Sequence, residues 1–166
     1  MSMTLRAFLS TPRSCAPIRT RRARQKRGPQ EIGRSRGGPS TKIHALVDAL
    51  GNPVRIILSP GQRNDIKLAD KLLDGIHDAY VAADRAYDAK ALVQMLEVNR
   101  CTVVIPSNPT RAVQREIDLH LYKERHLIEC FFQKLKRFRR IAMRFEKLAR
   151  NFLTFVHLAC VLVWLA

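Results

Sequence analysis

Two carboxylates, Asp84 and Glu129, are the side chains best placed to do chemistry. Asp84 follows the short apolar run at 80–83 (YVAA). That run is too brief for a helix and reads as a buried strand, and in α/β sheets reacting groups collect at strand ends. Glu129 lies in a long helical stretch that starts near Ile117. Counted from Glu129, Tyr122, Arg125 and Lys136 stand at offsets −7, −4 and +7. A 3.6-residue repeat puts all four on one face. One carboxylate is thus flanked by a phenol and two cations. A solvated ion-pair stripe would show the same spacing, because i,i+4 pairs are common and add only about 0.2–0.5 kcal/mol.

Other polar residues have plainer readings. Asp48 sits beside a turn and reads as a strand-end cap, with a ligand role as the weaker alternative. His44 reads as a strand residue, Asp88 as a helix N-cap and His157 as a packed histidine. The cysteines Cys15, Cys101, Cys130 and Cys160 contain no CxxC pair, which argues against zinc and for buried, reduced thiols. Residues 134–140 (KLKRFRR) supply Lys134, Lys136, Arg137, Arg139 and Arg140. Arg144, Lys147 and Arg150 extend the basic run, and Phe138 and Phe145 interrupt it. A phosphate-tracking surface and a solvated face with buried aromatics are both readable on its different sides.

The elements that must position these groups begin at Thr41. Residues 41–48 (TKIHALVD) and 54–58 (VRIIL) read as a hairpin around the turn Gly51-Asn52-Pro53. Asn64 or Asp65 can cap an amphipathic helix over 66–76. The strand at 80–83 follows, then a helix over 89–98 with Ala91, Leu92, Met95 and Leu96 inward, then a strand at 101–105 stopped by Pro106. The stretch from Ile117 is expected as one long helix with a break near 138–142. This alternation predicts an α/β sheet with helices packed on its faces. Residues 151–166 are apolar all round and predict a core helix, since about 20 residues are needed to span a bilayer.

Composition bounds the partners. The chain has 166 residues, 46% apolar, with 30 Lys and Arg against 14 acids, a formal charge of +16. That excludes a disulfide mini-protein and a wholly disordered chain, and it favours a polyanionic partner. Residues 1–38 hold ten basic residues and one acid, Glu31, with no helical or strand periodicity. They read as a basic, mostly disordered arm, and residues 39–166 as the folded domain. Residues 1–12 lack a signal peptide's apolar run.

Tyr122-x2-Arg125-x3-Glu129-x6-Lys136 resembles the Y-(2)-R-(3)-E-(6)-K motif of bacterial insertion-sequence transposases of the DDE type. Residues 83–88 (ADRAYD) resemble the strand-end segment that carries that family's second catalytic Asp. GRSRGG at 33–38, TKIHALVD at 41–48, Gly51-Asn52-Pro53 and Pro60-Gly61-Gln62 resemble it in the same order. The resemblance spans roughly residues 26–166. It implies an RNase H-like mixed sheet with helices on both faces. It also implies DNA strand cleavage and transfer with two magnesium ions, which require carboxylate oxygens. Asp84 is then the second Asp and Glu129 the Glu, both as metal donors. Arg125 and Lys136 are expected at phosphates, Tyr122 near the transposon end, and Lys134, Arg137, Arg139 and Arg140 along DNA. The implied partners are transposon-end and target DNA, with a homo-oligomer for strand transfer and no membrane. The implied place is the bacterial cytoplasm, at the nucleoid.

One family feature is missing. The first Asp belongs on the first strand, and this chain has no acid before Glu31. Pro12 and Pro17 disfavour a central strand there, so the first strand is expected to be absent and the chain N-terminally incomplete. Codons for residues 10–19, read one base earlier, can spell an Asp-bearing strand. Residues up to about 24 are therefore expected to be an out-of-frame reading of it. With two of three carboxylates, metal binding should be weak and catalysis slow or absent. A bare sheet edge should make the chain unstable. A catalytically inactive DNA-binding or regulatory fragment is the alternative to an active enzyme.

Overall fold

The structure is a computed structural model that describes residues 5–9, 13–17, 28–35 and 38–165. Its organising element is β4 (Gly38–Val47), which has hydrogen-bonded neighbours along both edges. On one edge it pairs antiparallel with β5 (Pro53–Pro60), from Thr41↔Pro60 to Val47↔Pro53. The turn between them is built as expected: the Asp48 carboxylate accepts from the Leu50 and Asn52 amides at 2.8 and 2.9 Å. Gly51 there has φ +81°, a backbone region that costs glycine little.

The other edge of β4 carries β1 (Leu5–Leu9) and β2 (Arg13–Pro17). Phe8 pairs with Val47, and Arg13 to Cys15 pair with Ile43 to Thr41. The short β3 (Gly33–Ser35) folds back on the start of β4 as a hairpin. Beyond β1, the parallel strands β6 (Ala79–Ala83) and β7 (Thr102–Val104) complete the sheet. The central order is therefore β5–β4–β1–β6–β7, and β8 (Met143–Arg144) adds in parallel to β2.

The first strand is thus present, which corrects the expectation that it is missing and that residues 1–38 form an unordered arm. Lack of an acid in the segment has no bearing on whether it can form a strand. Ala7, Phe8 and Leu9 are buried, and their main-chain groups satisfy the facing edges of β4 and β6. Pro17 sits at the last position of β2, where a missing N–H interrupts little. The predicted bare edge is filled, so its expected instability loses its basis. The parts of the arm expectation at 1–4, 10–12, 18–27 and 36–37 lie outside the described residues.

Side chains alternate between two cores, as the pleat requires. Phe8, Ala45, Val47 and Ala82 face α4 (His126–Lys136), α5 (Arg139–Ala142) and α6 (Ala149–Trp164). Ala7, Leu9, Leu46, Val81 and Ala83 face α1 (Ala69–Leu73) and α2 (Lys90–Val98). Helices therefore cover both faces, in agreement with the α/β, RNase H-like expectation. The first helix opens as a 3-10 turn over Asp65–Leu68 capped by the Asn64 side chain.

Several local expectations need correction. Asp88 does not cap α2: its N-cap is Ala89, without a side-chain bond. Of the four residues expected inward on that helix, Ala91 is exposed, while Val93 is buried. The long helix from Ile117 is divided into α3 (Leu119–Lys123) and α4. The later break falls near 138, as expected. In α6 only one face is buried, through Phe152, Val156, Ala159, Cys160 and Val163. Leu158, Val161, Leu162 and His157 are exposed, so the all-apolar composition does not make a fully buried helix and His157 is not packed. No described helix is long and apolar enough to cross a membrane. The four cysteines are free, but Cys130 is exposed.

Candidate active site

β6 runs parallel to β1 with Leu9 opposite Ala83, so Asp84 leaves the sheet at the C-terminal tip of a central strand. The backbone turns at once into a 3-10 turn, Arg85–Tyr87, whose N-cap is Asp84. The short α3 (Leu119–Lys123) packs against β6, and α4 follows it over β4 and β1. The apolar α4 positions Ile128, Phe131, Phe132 and Leu135 are buried against the sheet, which rotates Glu129 toward Asp84. The two carboxylates are distant in the chain, yet they meet at one atom: Arg125 Nη1 is 2.8 Å from Asp84 Oδ1 and 2.9 Å from Glu129 Oε1.

The break between α3 and α4 places Arg125. Its amide donates to the Tyr122 carbonyl and the Ile128 amide donates to the Arg125 carbonyl, the tighter i→i+3 pattern of a helix joint. The guanidinium carbon lies 5.6 Å from the centre of the Tyr122 ring. Burial alone would lower the Arg125 pKa, but the Asp84 charge and the Glu129 hydrogen bond reverse this and hold it above its usual value. Arg125 is therefore brought to the two carboxylates and Tyr122 to Arg125, although they are not on one uninterrupted helix with Glu129.

Lys136 is not brought there. Seven residues beyond Glu129 is about 10 Å along the helix axis. Its side chain instead borders a cavity of about 140 Å³ with Cys15, Ile43, Phe132 and Ile141. Lys134, Arg137, Arg139 and Arg140 are exposed. Arg140 lies over the Phe155 ring at 4.8 Å and 3.6 Å from Glu146. Arg144 departs furthest from the reading of a solvent-facing basic run. It is 1% exposed, and it donates to the carbonyls of Gln30, Glu146 and Lys147 and to the Thr41 hydroxyl.

Asp88, four residues after Asp84, makes an ion cluster that sequence spacing did not reveal. Arg111 Nε reaches it at 2.7 Å, Arg115 Nη2 at 3.4 Å and the Asn108 amide at 2.7 Å. Burial would raise its pKa, but these donors outweigh it and the pKa is lowered. The cluster fastens the segment between β7 and α3 to Asp88. No short-range pattern links Asp88 with two arginines more than twenty residues away, so the sequence carried no signal for it.

The donor set suits a hard divalent ion held by one or two carboxylates and completed by water and phosphate oxygens, as magnesium prefers. Both oxygens lie within two hydrogen-bond lengths of each other, through a shared nitrogen. Among the described residues no group of three or more His, Cys, Asp or Glu side chains is placed to hold a metal.

The central strand order β5–β4–β1–β6–β7, with helices on both faces, defines the class of RNase H-like domains. The family model described as "Transposase DDE domain" matches residues 14–164, and the chain belongs to that family. It is 52% identical over 128 residues to the "Putative transposase for insertion sequence element IS6501" of Brucella ovis, covering 76% of this chain and 98% of that protein. It is 32% identical over 152 residues to the "Putative transposase for insertion sequence element IS402" of Burkholderia cepacia, covering 84% and 69% respectively. No solved structure matches it significantly.

Proposed function

We propose that this chain is the catalytic domain of a bacterial insertion-sequence transposase with an incomplete carboxylate set, acting on transposon-end and target DNA. The observation that carries the reading is the meeting of Asp84 and Glu129 at one nitrogen of Arg125. Two carboxylates brought to one point from a strand tip and a distant helix are the donors that metal-assisted phosphoryl transfer requires.

In this reading Asp84 and Glu129 offer oxygens to magnesium. Bound metal would activate the attacking oxygen and stabilise the leaving oxygen of an in-line displacement on phosphate. Arg125 supplies a planar, permanently charged donor set suited to a phosphate beside the carboxylates. Tyr122 packs on that guanidinium and limits its rotation. Lys134, Lys136, Arg137, Arg139 and Arg140 hold the DNA backbone without reading bases. Strand transfer by a homo-oligomer belongs to the same proposal.

A second reading, a catalytically inactive DNA-binding or regulatory form, is favoured by one specific observation. Residues 1–30 contain no acid, and among the described residues no third metal-ligating group joins the pair. One experiment separates the two. The purified chain is incubated with a duplex carrying its element's terminal repeat and magnesium. Cleavage that Asp84→Ala abolishes supports the enzyme. Retained binding without cleavage supports the inactive form, and absence of binding defeats both. The proposed frame is checked directly in the gene: the overlapping frame opposite residues 10–19 is expected to encode an Asp-bearing segment, and an Asp-free frame refutes it.

A further inference from the structure

The atom that joins the two carboxylates is itself part of a cation. Arg125 Nη1 lies within hydrogen-bond reach of both Asp84 Oδ1 and Glu129 Oε1. These are oxygens of the two side chains read above as metal donors, and the inference rests on that reading. A magnesium ion binds oxygen at about 2.1 Å. An ion that bridges those two oxygens where Nη1 now sits competes with the guanidinium for space and for the same negative charge.

We propose that Arg125 is an exchangeable latch: its guanidinium neutralises Asp84 and Glu129 until a divalent ion displaces it, and the released guanidinium then serves as a phosphate clamp. Three features favour exchange over a fixed bridge. The Arg125 side chain is 22% exposed and that of Glu129 42%, so neither is sealed. Arg125 is at the joint between α3 and α4, where its carrier turn is not locked into an uninterrupted helix. Arg125 Nε is buried without a hydrogen-bond partner among the described residues, a cost that is relieved when the guanidinium moves out to an acceptor. Arg144 shows the contrasting fixed arrangement, with its guanidinium spent on backbone carbonyls.

The latch couples two ligands. Metal binding frees a guanidinium for phosphate, and phosphate capture by that guanidinium opens Asp84 Oδ1 and Glu129 Oε1 to metal. By linkage each must strengthen the other by the same factor.

The test measures manganese binding to the purified chain by electron paramagnetic resonance, for the wild type, Arg125→Gln, Lys136→Gln and Asp84→Asn. Arg125→Gln is expected to tighten manganese at least about fivefold, the lower end of ordinary couplings. Lys136→Gln removes a charge from α4 without touching either carboxylate and should change affinity far less. Asp84→Asn should abolish the site. Unchanged or weaker binding in Arg125→Gln, or an equal gain in Lys136→Gln, overturns the latch while leaving the metal reading intact. Absence of manganese binding sensitive to Asp84→Asn overturns the metal reading itself. A second readout guards against a misfolded variant: the Arg125 side-chain Nε–H resonance of the wild type should shift on magnesium saturation. A resonance that stays in place overturns the exchange.

Discussion

His44 is fully buried in β4, with Nε2 2.7 Å from the Ser59 hydroxyl and Nδ1 without a partner among the described residues. Burial pushes its pKa down to about 4, against a smaller opposing pull from Asp65. The unfolded chain takes up the proton near pH 6.5, whereas the folded one resists it until about pH 4. Stability is therefore full above about pH 6.5 and falls as the pH drops through that window, by on the order of 3 kcal/mol. Urea unfolding at pH 7 and pH 4.5 should show this loss, and His44→Gln should flatten it; an unchanged slope in the variant would assign the loss elsewhere. Asp84 and Asp88 make the residue-scale contrast. They are four positions apart and equally acidic in sequence, yet the Asp88 side chain is 1% exposed and consumed by two arginines and an amide. Asp84 is 18% exposed at the strand tip, where a ligand can reach it.

At the scale of elements, the joint between α3 and α4 and the clamp on β8 do the positioning. The i,i+4 spacing of Arg125 and Glu129 was readable because it lies within one helical turn. The break just before it was not readable, since no Pro or Gly marks it and the i→i+3 bonds form where the chain must bend onto the sheet. Arg144 ties β8 to segments far away in the chain, the Gln30 carbonyl and the Thr41 hydroxyl, and its guanidinium carbon lies 4.9 Å from the nearer Phe152 ring. Arg144→Met keeps the bulk and strands these buried acceptors. It should lower stability by about 1–3 kcal/mol for each acceptor left unpaired, measured by urea unfolding at pH 7, and a loss under about 1 kcal/mol would show that the carbonyls find water instead.

Over the whole molecule the charge decides the manner of binding. A formal charge of +16 with exposed Lys134, Arg137, Arg139 and Arg140 makes DNA affinity strongly dependent on salt. Each of Lys134→Ala and Arg137→Ala should reduce the slope of log affinity against log salt by about 1. Arg144→Met, if folded, should leave that slope alone because its charge is already spent inside the protein. An unaltered slope in the surface variants would place the DNA elsewhere on the molecule.

Local patterning determined much of this protein. Partial alternation marked β4, turn residues marked the hairpin with β5, a short apolar run marked β6, helical periodicity marked α2 and α4, and the spacing of Arg125 to Glu129 marked the stripe that carries the site. These signals survive in sequence because they express geometry within a few residues. Tertiary structure alone decided that Leu5–Leu9 fills the gap between β4 and β6, that Arg144 turns inward, and that Asp84 and Glu129 share a cation. Those outcomes follow from completing hydrogen bonds along distant strand edges and from the cost of leaving buried charges unmatched, and neither is encoded in any short stretch of the chain.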